Sequence, residues 1–206
     1  KKKREVYVPV VPEQQFAFIH NNVDCIGCRA CEIACKDKNG LDAGPRFRRV
    51  QYLEGGTYPE VFAFKLNMSC NHCAEPACLP VCPTGAIYKR ADNGVVDIDS
   101  SLCIGCRKCE AACPYGAPQF NVELNIVQKC NMCVDELDAG RKPYCVSACM
   151  MRVLDIGPLD QIDAGGYETK AVGPNDELVR QVKSMADPEL TNPSIRFVPH
   201  SKGRVD

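Results

Sequence analysis

The chain has 206 residues, 25 lysines and arginines against 26 aspartates and glutamates, and a formal charge of −1. That balance carries no electrostatic signal for nucleic acid or an anionic membrane. No run approaches the ~18 apolar residues of a membrane span, and the length allows one domain or two small ones. What departs from ordinary composition is the cysteine content: 16 residues, all in four groups of four.

In chain order, residues 1–15 read as an irregular arm with Lys1–Arg4 as a solvated tail. Val6–Val11 is short and interrupted by Pro9, so it does not read as a secretory leader. Phe16–His20 alternates and is aromatic, which predicts a short strand. It runs into the first group, Cys25, Cys28, Cys31 and Cys35, in the segment C-I-G-C-R-A-C-E-I-A-C. Gly27 suits a tight loop in which a side chain would crowd the turn, and Glu32–Cys35 begins a short helix. Residues 39–66 hold two strand-like runs, Phe47–Leu53 and Val61–Leu66, with Gly55-Gly56 near the turn, and read as an inserted β-hairpin. Arg46, Arg48 and Arg49 read as its solvated face.

The second group is Cys70, Cys73, Cys78 and Cys82, followed by Pro83. The third is Cys103, Cys106, Cys109 and Cys113, followed by Pro114. Between them Pro83–Tyr88 and Val95–Asp99 are predicted as two antiparallel strands with a turn at Asp92-Asn93-Gly94. His72 is expected to be close to the thiolates without being a ligand, or at the surface; His20 and His200 carry no signal. The fourth group, Cys130, Cys133, Cys145 and Cys149, resembles the second with a longer middle loop, and Val134–Tyr144 reads as an exposed turn. Arg152–Ile156 is a predicted strand. Beyond Gly157 the cysteines stop. Asn175–Ala186 suggests one short helix capped by Asn175, and Pro188, Pro193 and Pro199 predict an extended tail lying across the body or a partner.

The third group reads C-I-G-C-R-K-C-E-A-A-C and matches the first at nine of eleven positions, 78 residues on. That is an internal repeat. The third group also has the C-x2-C-x2-C-x3-C-P spacing of a bacterial ferredoxin site, in which three thiolates hold one iron–sulfur cube and the fourth reaches the neighbouring cube. A disulfide framework gives no reason for repeated C-x-x-C-x-x-C triplets. Structural zinc prefers two separated pairs per ion. A zinc-stabilised interaction module is the non-redox alternative.

The expected fold is therefore α+β, a duplicated 2[4Fe–4S] ferredoxin-like unit. Groups one and four form an outer module (16–38 plus 121–159) and groups two and three an inner one (67–120). The hairpin (39–66) is an insert, and 160–206 is a docking tail. Crossing assigns four cubes: Cys25, Cys28, Cys31 with Cys149; Cys130, Cys133, Cys145 with Cys35; Cys70, Cys73, Cys78 with Cys113; Cys103, Cys106, Cys109 with Cys82. Four thiolates per cube leave no open iron, so one-electron exchange is expected and no catalytic residue. Each oxidised cube with its thiolates carries roughly −2, so the loaded protein is acidic. Arg29, Arg107, Lys108 and Lys129 are expected to raise the potential of adjacent cubes, Glu32 and Glu110 to lower it. With so much of the core given to metal, the metal-free chain is expected to be largely unfolded. No G-x-G-x-x-G follows a strand, which argues against a free-standing flavoenzyme.

The group order, S-C-N-H-C-A-E-P-A-C at Ser69–Cys78, C-P-Y-G-A-P-Q-F at Cys113–Phe120 and K-P-Y-C at Lys142–Cys145 resemble the electron-transfer subunits of the dimethyl sulfoxide reductase family of molybdenum enzymes. The likeness runs from Phe16 to Leu159, with a weaker match at Asn192–Pro199. It implies four [4Fe–4S] clusters, a molybdopterin catalytic subunit, and an integral-membrane anchor that handles quinol in anaerobic respiration. In some relatives tryptophan matches Cys106 and leaves a three-iron cluster; cysteine here implies a fourth cube. The resemblance also places the Cys103 cube nearest the anchor and the Cys25 cube nearest molybdenum. It implies membrane association through partners, on the extracytoplasmic face, with the cytoplasmic face as the other case. Formate dehydrogenase, hydrogenase-linked and polysulfide or thiosulfate reductase complexes are the alternative settings.

Overall fold

A computed structural model describes residues 11–205; Lys1–Arg4, read above as a solvated tail, lie outside the described residues. The chain forms a small mixed α/β structure. Its centre is β1 (Phe16–Asn21), which pairs antiparallel with β8 (Leu154–Pro158) and parallel with β9 (Ile195–Val198). Ala17, Phe18 and Ile19 are all at most 1% exposed. Covered on both faces, β1 is a near-continuous apolar run, as sheet strands buried on both sides are. Phe18 faces Ile156 on one side and Ile195 on the other.

Three separate antiparallel pairs surround this sheet: β2 (Arg49–Gly55) with β3 (Phe62–Met68), β4 (Ile87–Lys89) with β5 (Val96–Ile98), and β6 (Gln119–Asn121) with β7 (Ile126–Gln128). Five short helices follow the cysteine segments and β8: α1 (Ala30–Lys38), α2 (Lys108–Ala112), α3 (Val134–Asp138), α4 (Tyr144–Ser147) and α5 (Leu159–Asp163). Among the described residues no helix is long and apolar enough to cross a membrane.

Several expectations are corrected. Residues 175–186 form no helix. Val179 is held extended by two backbone bonds of 2.9 Å to Phe197, and an extended bridge competes with helical dihedrals. Val134–Tyr144 is not simply a turn, because α3 occupies its first half, with its entry residue Cys133 at φ 49°. Helices α1 and α2 start before Glu32 and Glu110, since the left-handed residues Arg29 (φ 62°) and Arg107 (φ 59°) set their first turns. Arg48 is not solvated: it is 1% exposed. Of the two positions expected for His72 the surface is ruled out: it is fully buried, its Nδ1 accepting from the Val96 N–H at 3.0 Å. The β6–β7 pair was not foreseen.

Candidate metal centres

All sixteen cysteines are unpaired; ten are buried, four are partly covered, and Cys28 and Cys106 are exposed. The loops present the first and third groups in the same way. Gly27 and Gly105 both sit at positive φ, 70° and 66°. A Cβ at Gly27 would fall 2.4 Å from the Tyr52 hydroxyl, and one at Gly105 the same distance from the Asn125 carbonyl. Two residues on, Arg29 lies 5.5 Å over the Tyr52 ring and Arg107 5.1 Å over the Phe120 ring. The C-I-G-C loop and its arginine are thus clamped by an aromatic from the following β-pair, once from β2 and once from β6.

The thiols gather in sets that cross between groups. One cavity is bordered by Cys70, Cys73, Cys78 and Cys113. Another is bordered by Cys82, Cys103, Cys106 and Cys109. The remaining thiols influence one another electrostatically. Burial raises the Cys25 pKa, and Cys149 and Cys28 add to it. Burial raises Cys35 far more, and Cys130, Cys145 and Cys133 all contribute, against Arg48. Neighbouring sets also touch. Burial pushes Cys31 up to about 11, Arg48 opposes this, and Cys145 adds to it. Burial pushes Cys78 up to about 12, with Lys129 opposing and Cys113, Cys73 and Cys109 adding. Burial also raises Cys70, with Lys129 opposing and Cys73, Cys130 and Cys78 adding.

These sites fit iron–sulfur cubes: at two of them four thiols border one shared cavity. Donors also aim at the sulfurs: Asn67 Nδ2 lies 3.3 Å from Cys31 Sγ, and the N–H groups of Met132, Val127 and Ala117 lie 3.4, 3.4 and 3.5 Å from Cys130, Cys103 and Cys113. Such hydrogen bonds stabilise thiolate ligands and help set cluster potential. The side-chain amide of Asn71, which borders the Cys70 cavity, is buried without a protein partner. When bound, each cube supplies one-electron exchange; the chain supplies enclosure, sulfur ligation and charge.

The charges expected beside the ligands divide. Lys129 is buried, donates to the Cys130 carbonyl at 3.0 Å and contacts the Val96 carbonyl. Burial works to lower its pKa, yet the pull of Cys70, Asp97, Cys78 and Cys130 raises it. Arg107 is tied to Glu110 at 2.7 Å, so their opposite effects largely offset. Glu32 is buried and its carboxylate is taken up by the Val50 N–H. Reading the sequence missed Arg48, Asn67 and Ser69. Asn67 lies near the end of β3 and Ser69 just beyond it, two residues apart and directly before Cys70. That was the available signal.

Sixteen unpaired thiols, eight of them bordering two shared cavities, together with two family matches define an iron–sulfur protein of ferredoxin type carrying four [4Fe–4S] clusters. The 4Fe-4S dicluster domain family matches residues 61–159, and the 4Fe-4S binding domain family matches residues 24–40. The chain is 40% identical over 198 residues to a component of the anaerobic dimethyl sulfoxide reductase of Escherichia coli, covering 92% of this chain and 91% of that one. It is 38% identical over 184 residues to a component of the sulfite dehydrogenase of Allochromatium vinosum, with 75% and 77% covered. It is 42% identical over 153 residues to a thiosulfate reductase electron transfer subunit of Salmonella typhi, with 71% and 78% covered. The chain belongs to the family of four-cluster electron-transfer subunits of dimethyl sulfoxide reductase-type molybdopterin oxidoreductases. The zinc-module alternative is thereby set aside.

Proposed function

We propose that this chain carries single electrons along four [4Fe–4S] clusters between a quinol-handling membrane anchor and a molybdopterin catalytic subunit that reduces dimethyl sulfoxide or a related oxide. The ligand sets are the crossed ones: Cys25, Cys28, Cys31 and Cys149; Cys35, Cys130, Cys133 and Cys145; Cys70, Cys73, Cys78 and Cys113; Cys82, Cys103, Cys106 and Cys109. The observation that carries this reading is the sequence of neighbouring thiols. Cys31 feels Cys145, Cys70 feels Cys130 and Cys78 feels Cys109. Taking those electrostatic neighbours in order, we place the four sets in a row, with the two exposed thiols, Cys28 and Cys106, in its two end sets. A row with one open thiol at each end is the layout a relay between two partners requires.

The outer module (16–38 plus 121–159) holds the first two sets and the inner module (67–120) the last two. Residues 160–206 and the apolar side chains beside the end thiols, Ile26 and Ile104, are assigned to partner contact. The Cys106 end faces the anchor and the Cys28 end faces the molybdenum subunit. The complex sits at the membrane through those partners, on the extracytoplasmic side. The likeness to a thiosulfate reductase subunit favours one second reading, the same relay serving thiosulfate.

The test is anaerobic purification of the complex with molybdenum analysis and electron paramagnetic resonance. Molybdenum co-purifies and four cluster signals are seen. Cys35→Ser and Cys130→Ser remove the same signal, and Cys25→Ser removes a different one. If Cys35→Ser instead removes the signal lost in Cys25→Ser, the crossed ligand sets are wrong. If no molybdenum accompanies the protein, the partner assignment falls.

A further inference from the structure

Arg48 is a cation in a place where cations are costly. Its side chain is 1% exposed. The guanidinium lies 4.3 Å over the Phe18 ring, donates from Nη1 to Asn67 Oδ1 at 2.9 Å and from Nη2 to Ser69 Oγ at 3.0 Å, and its Nε has no protein partner. All of those partners are neutral, and among the described residues no carboxylate pairs with it. A buried unpaired charge is strongly disfavoured, so something negative must stand near it. The thiols that act on it electrostatically come from two different sets: Cys31 from the first, and Cys145, Cys130 and Cys35 from the second. Their pull outweighs burial and holds Arg48 protonated. Asn67 completes the link to the first set, taking a hydrogen bond from Arg48 and giving one to Cys31 Sγ at 3.3 Å.

We propose that Arg48 is a positioning and tuning residue for electron transfer: one buried positive charge shared by the Cys25 set and the Cys35 set, raising the reduction potential of both clusters. The proposal rests on the ligand sets given above. An electron arriving at either set adds one negative charge next to the guanidinium; no proton moves and no bond is made or broken. Arg48 favours the added charge, and because its charge acts on both sets it also offsets their mutual repulsion. The internal repeat supplies no second such arginine; a buried lysine, Lys129, lies near Cys130 of the Cys35 set and near Cys70 and Cys78 of the Cys70 set.

The test is a potentiometric titration of the intact complex, followed by paramagnetic resonance, with iron content measured alongside. In Arg48→Met, two of the four clusters become harder to reduce by about tenfold, which is 59 mV for one electron, and the other two hold their values. Arg48→Lys keeps the charge and keeps both potentials within a small fraction of that shift. Unchanged potentials in Arg48→Met overturn the proposal, as does an equal fall in Arg48→Lys. Should Arg48→Met not load its clusters, Asn67→Asp decides. It preserves side-chain volume and sets a carboxylate on Nη1. Both potentials fall, including that of the Cys35 set, which Asn67 does not touch; no fall at that set overturns the proposal. A wrong division of the ligands is recognised separately, by Cys35→Ser and Cys25→Ser removing one and the same signal.

Discussion

His20 illustrates how far burial moves a single group. It is fully buried, edge-on to Phe197 at a centroid distance of 6.4 Å. Burial is the main reason its pKa is held down to about 3; Arg48 adds to this, and Asn22 offsets part of it. An unfolded histidine titrates near ~6.5. Below that pH the unfolded chain takes up a proton that the folded chain refuses, so folding stability falls as pH drops, by about 1.4 kcal/mol per pH unit contributed by this residue. His20→Leu is expected to narrow the gap in Tm between about pH 7 and about pH 5.5 relative to the unaltered protein. An unchanged gap would rule the mechanism out. Neither His20 nor Arg48 is legible from sequence. A lone histidine carries no pattern, and an arginine beside two others looks like a solvated face. Their burial is decided by strands that arrive from elsewhere in the chain. The cysteines are legible because their chemistry requires fixed local spacing.

At the scale of elements, the β2–β3 pair turns out to have a shorter counterpart. Both it and β6–β7 follow a cysteine helix, and each sends an aromatic onto the preceding C-I-G-C loop, Tyr52 in one case and Phe120 in the other. One C-I-G-C segment is thus followed by a long β-pair and the other by a short one. The short version was missed because three-residue strands such as Gln119–Asn121 leave no alternation to detect. Its fit to the loop is close enough to test. Gly105→Ala places a Cβ 2.4 Å from the Asn125 carbonyl at φ 66°. The left-handed conformation alone costs about 1–2 kcal/mol for a residue with a Cβ, and the overlap with backbone adds to it. Selective loss of the cluster signal that Cys103→Ser removes is expected, with iron content falling accordingly. Gly140→Ala, at φ 70° but with nothing within 4 Å of the new carbon, carries only the conformational penalty and keeps its iron. Equal retention of iron by both variants would show that the clamp is unimportant. The absent helix at 175–186 teaches the complementary point. Cap residues and acidic first-turn residues were present, but the bridge from Val179 to Phe197 and the burial of Val182 hold the segment to the sheet.

For the molecule as a whole, the cysteines belong to the core itself. The largest buried cluster mixes Phe18, Leu66, Ile156 and Phe197 with Cys31, Cys35, Cys70, Cys73, Cys130, Cys145 and Cys149. Removing iron therefore leaves thiols facing gaps where dense packing was. Because binding free energy of such sites is folding free energy, anaerobic chelation is expected to abolish most of the ordered circular dichroism in step with loss of the visible absorbance near ~400 nm. A chain that kept its spectrum after losing iron would refute this. Fold class and cofactor were readable from spacing alone; the three-stranded sheet was not, because its members lie far apart in sequence.

That separation matters for biogenesis. Strand β1 ends at Asn21, and its partners are Leu154–Pro158 and Ile195–Val198. As the polypeptide leaves the ribosome, this buried, largely apolar strand must wait for more than a hundred further residues before either neighbour exists. Pairings of such long range form late and leave sticky surface uncovered meanwhile. A chaperone that shelters the nascent N-terminal segment until the distal strands emerge is the helper this topology calls for.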